Sequence, residues 1–276
     1  MGFEMFWFKK TIAVALLTNC VGFSDGAQAA LYGRGNDLVY DDILNITITK
    51  NVSLFQTQAA SDINLVNKII ADVGTVADSY FGIHTLNSND FRSNFGSVTW
   101  WGAQAWINYL NLHNFNGYSD WRLPKVGPVN GISFNDNWSY DGSTDNGWNI
   151  TSKQSELAYL YNIELKNLGY VGDPSKASFQ DAANAGSTDS FTTLQSSWTG
   201  TEHTQPVNMS QVLDNGSAWY FQVSGGGQSA VLKSNYDLFA WAVRDGDVAP
   251  VPITSSIWLF ASGFGLLSFT RRKQNS

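Results

Sequence analysis

The densest set of side chains able to do chemistry lies in one loop, Asn135-Asp136-Asn137-Trp138-Ser139-Tyr140-Asp141-Gly142-Ser143-Thr144-Asp145-Asn146-Gly147-Trp148. Its oxygens are of the hard kind that Ca²⁺ collects six to eight at a time, and Asp136, Asp141 and Asp145 are the candidate carboxylates of a weak site. Trp138, Tyr140 and Trp148 offer flat apolar faces on which sugar rings can stack. Together with Asp141 and Asp145 they form the candidate ligand-binding set. The spacing is not that of an EF-hand loop, and Asx-rich turns form without metal, so an ordered surface loop is the plainer reading of the same residues.

A second set surrounds Gly117-Tyr118-Ser119-Asp120-Trp121-Arg122-Leu123-Pro124. Arg122 precedes a proline that fixes the backbone, and Glu156 opens a candidate helix, where the dipole favours a carboxylate. A guanidinium does not give up its proton and a single carboxylate has no partner acid, so the expected role is an ion pair pinning this loop to the helix. Trp121, Arg122, Pro124, Glu156, Trp241 and Arg244 are the expected structural hub.

Recognised catalytic patterns are missing: there is no Gly-x-Ser-x-Gly, no His-Glu-x-x-His and no phosphate loop. His84, His113 and His203 are scattered, so only the fold could assemble them into a zinc site or a triad. Glu202-His203 reads as a solvated turn near a strand end rather than a dyad. No catalytic residue is assigned. A polysaccharide hydrolase is the rival reading, and it needs two carboxylates facing each other about 5 to 9 Å apart across a cleft.

The elements that must hold these residues follow from periodicity. Ala103, Trp106, Ile107 and Leu110 share one face of a helix over Thr99 to Leu112. Leu157, Leu160, Tyr161, Leu165 and Leu168 do so over Ser152 to Leu168, with Thr151 or Ser152 as cap and Gly169 as stop. Ile63, Val66, Ile70 and Val73 predict a shorter helix over Ser61 to Val73, stopped by Gly74. Leu31 to Phe55 reads as strands, including a hairpin of Asp37 to Tyr40 and Ile43 to Thr49 turned at Asp41-Asp42. Thr75 to Gly96 has no sustained period and reads as a loop insertion. Ala218 to Val223, Ser229 to Lys233 and Leu238 to Arg244 predict antiparallel strands parted by turns at Asn215-Gly216 and Gly225-Gly226-Gly227. The expected class is α+β, with helices packed on a mostly antiparallel sheet.

Both ends read as addresses rather than fold. Lys9 and Lys10 precede an apolar run from Thr11 to Leu17, and Ala27-Gln28-Ala29 has the small residues of a cleavage site, which predicts a signal peptide over 1–29 and export through the Sec machinery. Cys20 lies inside that segment, and the Asn19 before it is not the small residue that a lipid-modified cysteine requires. The chain from 30 onward therefore has no cysteine for a disulfide, a thiolate metal site or a nucleophile. Ile253 to Phe269 is apolar or small throughout and is followed by Arg271-Arg272-Lys273, which predicts a transmembrane helix with its basic tail on the cytoplasmic side of the inner membrane.

Without those ends, the 16 basic and 23 acidic residues fall to 11 and 21, a negative balance that argues against nucleic acid as a partner. Residues 30–248 are enough for one well-buried core, and nine of the eleven tryptophans lie within them. Core filling is the ordinary use of most of these.

Several stretches together resemble the Lcl C-terminal domain family. They are Leu31-Tyr32-Gly33-Arg34-Gly35-Asn36, Leu38 to Thr47, Thr99-Trp100, Tyr118 to Pro124, Ser155-Glu156-Leu157, Ser197 to Glu202 and Ala240 to Val248. Ile48 stands where the family usually has Trp. The resemblance implies a C-type lectin-like domain over 30–248, a fold shared with formylglycine-generating enzymes, whose copper site needs the cysteines that 30–248 lacks. Residues 249–276 resemble a degenerate PEP-CTERM sorting signal, with Pro250-Val251-Pro252 or Pro252-Ile253-Thr254 in place of the proline motif. That implies an exosortase-like processing enzyme in a Gram-negative bacterium that makes extracellular polysaccharide. The expected function is a non-enzymatic surface or matrix protein that acts as an adhesin or binds extracellular polysaccharide, with a purely structural matrix role as a further alternative.

Overall fold

The computed structural model describes residues 31–166, 195–203, 216–223, 225–235 and 237–248. The expected signal peptide, cleavage site, sorting signal and transmembrane helix lie outside the described residues, as do Leu168 and Gly169. Among the described residues no helix is long and apolar enough to cross a membrane.

The architecture is mixed α+β with antiparallel sheets and few helices. One sheet has four strands, β1 (Leu31–Gly35), β2 (Leu38–Asp41), β3 (Ile46–Thr49) and β13 (Val243–Asp245), in the order β1-β2-β3-β13. The first and last strands of the described chain thus lie in one sheet, and Arg34 holds Asp247 through two hydrogen bonds of 2.7 and 2.9 Å. The second sheet has five strands, β10 (Ser197–His203), β11 (Ser217–Gln222), β12 (Gly227–Leu232), β9 (Asn146–Trp148) and β8 (Trp138–Ser139), in that spatial order. All its pairings are antiparallel except β8 with β9. The C-terminal strand does not join β11 and β12 as the turn signals suggested. Its approach instead crosses between strands: Leu238 bridges Val98, Phe239 bridges Ser197, and Val243 then pairs with Ile48.

Among the described residues there are four α-helices, α1 (Leu54–Ser61), α2 (Leu65–Val73), α3 (Trp100–Leu112) and α4 (Glu156–Tyr159). α3 is the central one. The Thr99 hydroxyl accepts from Gly102 N–H, and Ala103, Trp106, Ile107 and Leu110 are all buried on the face that the period predicts. This helix organises the larger of two apolar clusters, which also takes in Phe55, Ile69, Trp121, Trp198 and Ala218. The smaller cluster joins Ile48 and Val243 to Leu157, Tyr161, Phe221 and Trp241.

Three local expectations are corrected. Ser61 ends α1 instead of capping a helix, because Asp62 breaks the run: its carboxylate accepts Asn64 N–H at 3.0 Å, its carbonyl accepts Leu65 N–H at 2.9 Å, and α2 restarts beyond. Ile63 is consequently 93% exposed, and Leu65 and Ile69 are the buried pair. The expected loop from Thr75 to Gly96 instead holds the hairpin of β4 (Thr75–Asp78) with β5 (Gly82–Thr85) and the first strand of a second, β6 (Phe91–Arg92) with β7 (Ser97–Val98), whose strands are too short to display a period. The helix expected from Ser152 begins only after Ser155. Gly127 N–H donates to Gln154 O at 2.7 Å and Glu156 N–H to Lys125 O at 3.1 Å, so cross-chain pairing takes the groups that a longer helix would need.

After α4 the chain continues as one π-helical turn, Leu160–Glu164. Both Glu164 carboxyl oxygens are buried without a hydrogen-bond partner among the described residues, as is Asp41 Oδ2. Burial raises the Glu164 carboxyl to about 7, with the negative charges of Asp41 and Asp42 adding to it and Lys153 offsetting part. Between its ordinary value of 4.5 and about 7 the folded chain holds a proton that the unfolded chain has released. Stability therefore falls as pH rises through that window. Glu164→Gln should raise stability at about pH 8 by on the order of 2 kcal/mol and leave it unchanged below about pH 4.5. Urea unfolding at both pH values reads this, and equal stability of the two proteins at the higher pH would contradict it.

Candidate functional site

The aromatic loop is built onto the edge of the five-stranded sheet. Trp138 and Ser139 pair with Asn146 and Gly147, and Gly147 and Trp148 pair with Gln228 and Gly227 of β12. The close approach requires glycine, since Gly147 has φ +138° and a Cβ there would lie 1.9 Å from Ser139 O. The Trp148 indole lies over Gly227, where an added Cβ would come within 2.8 Å of Nε1. Trp148 then carries the other two aromatics: Trp138 meets it edge-on at 4.6 Å and Tyr140 lies tilted at 5.1 Å between ring centres. Trp138 and Tyr140 are 47% and 60% exposed. Three aromatic rings thus form one cluster whose outer members face solvent.

The acidic residues of the loop do other work. Asp145, expected to face a ligand, is 1% exposed. Its two oxygens accept Val129 N–H and Asn135 N–H, each at 2.6 Å, and its carbonyl accepts the Gln228 side chain at 2.8 Å. It is the internal pin of the loop. Asp136 accepts from His203 Nε2 at 3.0 Å. Asp141 is exposed and accepts Ser143 N–H at 3.1 Å; hydrogen bonds from Ser143 hold its carboxyl below the ordinary range. Among the described residues no three His, Cys, Asp or Glu side chains group as a metal site would require.

Glu202 and His203 are neighbours within β10 and leave it in opposite directions, as successive strand residues do. His203 goes to Asp136, and its ring meets Trp219 edge-on at 4.9 Å. Glu202 goes to Lys233 Nζ at 2.6 Å. They form no dyad. His84 is held by both Asp90 oxygens at 3.1 Å and stacks on Trp101 at 4.0 Å, above an open depression lined also by Ser88, Asn89 and Arg92. His113 pairs with Asp72 at 2.9 Å on the surface.

The hub is a set of paired charges and backbone bridges. Arg122 donates to Glu156 through Nη1 and Nη2 at 2.8 and 2.7 Å, and to Asp245 through Nε at 3.0 Å and through Nη2. Glu156 Oε2 also accepts Lys125 N–H at 2.7 Å. The Arg122 and Val243 backbones exchange both hydrogen bonds, at 2.8 and 2.9 Å, which ties the loop to β13. Burial works against the Arg122 charge, but Glu156 and Asp245 outweigh it and raise the guanidinium further. Trp121 is buried and donates Nε1–H to Phe115 O at 3.0 Å, while its own N–H and C=O are both taken by the Asn111 side chain. Pro124 O accepts Gly200 N–H at 2.8 Å. Trp241 donates to Thr49 O at 2.8 Å, and Arg244 grips Asp120 at 2.8 and 2.9 Å while stacking 4.1 Å over Tyr118.

One charged cluster had no sequence signal. Lys233, Asp78 and Glu202 meet in the interior although Lys233 and Asp78 stand 155 positions apart. The sequence shows only a β-strand end at Lys233, an aperiodic stretch around Asp78 and a Glu202-His203 pair that reads as a solvated turn. No family model matches the chain, and no curated protein and no solved structure matches it either.

The side chains of Arg122 and Glu156 are 19% and 10% exposed, so removing one partner leaves a largely buried charge alone. Arg122→Met should cost about 3 to 5 kcal/mol of stability. Denaturant unfolding measures this; a loss no larger than that of an exposed pair such as Lys68–Asp62 would remove the hub assignment.

Proposed function

We propose that this chain is an exported surface or matrix protein whose domain binds extracellular polysaccharide through the Trp138, Tyr140 and Trp148 cluster. The observation that carries the reading is the exposure of two aromatic rings mounted on a third at the rim of a pinned loop. Sugar rings present apolar faces edged by hydroxyls, and a rigid aromatic surface beside Asn137, Asp141 and Ser143 suits both parts. Rigidity lowers the ordering cost of binding, and Asp145 with Gly147 supplies it.

The signal peptide and the apolar tail expected at the two ends support delivery through the Sec machinery and anchoring in the inner membrane, with exosortase-like processing of the degenerate signal. The antiparallel sheets with few helices, and the stretches that resemble the Lcl C-terminal domain family, support a C-type lectin-like domain. The net negative charge disfavours nucleic acid as the partner.

The test is binding of the purified protein to a polysaccharide array, with Ca²⁺ and with chelator. Trp138→Ala and Tyr140→Ala alter exposed rings and should each weaken binding at least about tenfold, or 1.4 kcal/mol, without loss of fold. Chelator sensitivity would add Ca²⁺ at the Asp141 side of the loop. Variants that bind as tightly as the parent protein would sink the proposed site.

A further inference from the structure

Among the described residues Lys233 is the largest charged side chain buried outright. It is 1% exposed. Its position is fixed from the backbone, since Lys233 N–H donates to Gly216 O at 3.2 Å and Lys233 O accepts Trp100 N–H at 2.9 Å. Its Nζ lies 2.9 Å from Asp78 Oδ2, whose side chain is also 1% exposed, and 2.6 Å from Glu202 Oε2. The Trp100 ring covers the amine, with its centre 4.8 Å away.

The Asp78 carboxyl is polarised unequally. Oδ1 accepts two backbone donors, Tyr80 N–H at 2.8 Å and Phe81 N–H at 2.9 Å. Oδ2 accepts Lys233 Nζ and Trp101 Nε1–H, the latter at 2.8 Å. Two fixed N–H groups on one oxygen are the arrangement that stabilises charge developing there when the carbon is attacked. An amine already in contact with that carboxyl needs no encounter, which replaces the entropy of a bimolecular step. The second carboxylate, Glu202, is anchored by Ser79 N–H and the Ser79 hydroxyl and can carry protons between nitrogen and oxygen.

We propose that Lys233 and Asp78 condense spontaneously into an intramolecular amide, with Glu202 as the proton carrier. The resting pair is ammonium and carboxylate: burial pushes the Asp78 carboxyl up, but the hydrogen bonds from Lys233, Phe81, Trp101 and Tyr80 together hold it below the ordinary range. Glu202 takes one proton from the ammonium and passes it to Asp78 Oδ2. The freed Nζ lone pair attacks Cγ, and the carbonyl π pair moves onto Oδ1 under the Tyr80 and Phe81 N–H groups. As that pair returns, the C–Oδ2 bond breaks. A second proton from nitrogen, again through Glu202, completes a water molecule. One N–H remains on the amide, Glu202 ends as it began, and charge and atoms balance. The absence of bulk water at two side chains of 1% exposure disfavours the reverse hydrolysis.

The bond would join the end of β4 to the residue after β12, so the small hairpin could not separate from the five-stranded sheet. Peptide mapping of the purified full chain by mass spectrometry tests this. Trypsin should not cut after residue 233, and a branched peptide joining residues 69–92 to the segment that carries Lys233 should appear, lighter by one water than its parts. Lys233→Met should give only linear peptides. Glu202→Gln, at a side chain 23% exposed, should keep native tryptophan fluorescence and form the link at least about tenfold more slowly. Linear wild-type peptides of full mass after prolonged incubation overturn the proposal and leave a buried ion pair, a result that needs no variant to fold. A link formed as fast in Glu202→Gln would overturn the role of Glu202.

Discussion

The bidentate contact between Arg122 and Glu156 is the constraint on which the rest of the fold closes. Its two residues sit on a loop and at the start of a helix of only four residues, neither of which has enough local hydrogen bonding to hold itself in place. The guanidinium also engages Asp245 on the last strand, so a single side chain joins the loop, α4 and the four-stranded sheet. Loop backbone at Val126 meets the Thr201 hydroxyl of β10 at 2.9 and 3.0 Å, which brings in the second sheet. A buried charge is retained at such a junction because planar, paired hydrogen bonds fix orientation where apolar contact alone would permit sliding.

Around this junction the tryptophans divide their work by what surrounds each indole. Trp100, Trp101, Trp121, Trp198 and Trp241 are buried, and each N–H reaches a carbonyl or, for Trp101, a carboxylate. They act as large apolar bodies that also satisfy polar groups in the interior. Trp138 has no such enclosure. A rim tryptophan whose ring meets Trp148 edge-on and is 47% exposed leaves apolar surface in water, which is costly unless something covers it.

The parts of the structure visible in the sequence are those with local causes. The α3 stripe, the β2–β3 hairpin and the stop at Gly74 depend on neighbours in the chain, and each can be read from residue type and period. Arg122 and Glu156 were legible because a proline and a helix start restrict where their side chains can go. The start of α4 was not, since Lys125 and Gly127 capture its backbone from 31 and 27 positions away, between Glu156 and Lys125 O and between Gly127 and Gln154 O. Asp145 was misread for a related reason: an Asp in an Asx-rich loop looks identical whether it faces solvent or turns inward to hold two N–H groups. The Asp78, Glu202 and Lys233 cluster had no local trace, because charge alone does not say which carboxylates a lysine will meet.

Strand β10 connects the two sites that matter most. Alternation along it sends Glu202 to the buried lysine and the next residue, His203, to Asp136 beneath the aromatic loop. The same strand is bridged to the hub through Gly200 and Thr201. A loop fixed to a sheet edge is only as rigid as that sheet, and three neighbouring residues of one strand here tie the sheet to the hub, to the lysine cluster and to the aromatic loop itself. Lys233 stands directly after β12, and its Nζ meets Glu202 of β10 and Asp78 at the end of β4, so one side chain joins the five-stranded sheet to the small hairpin.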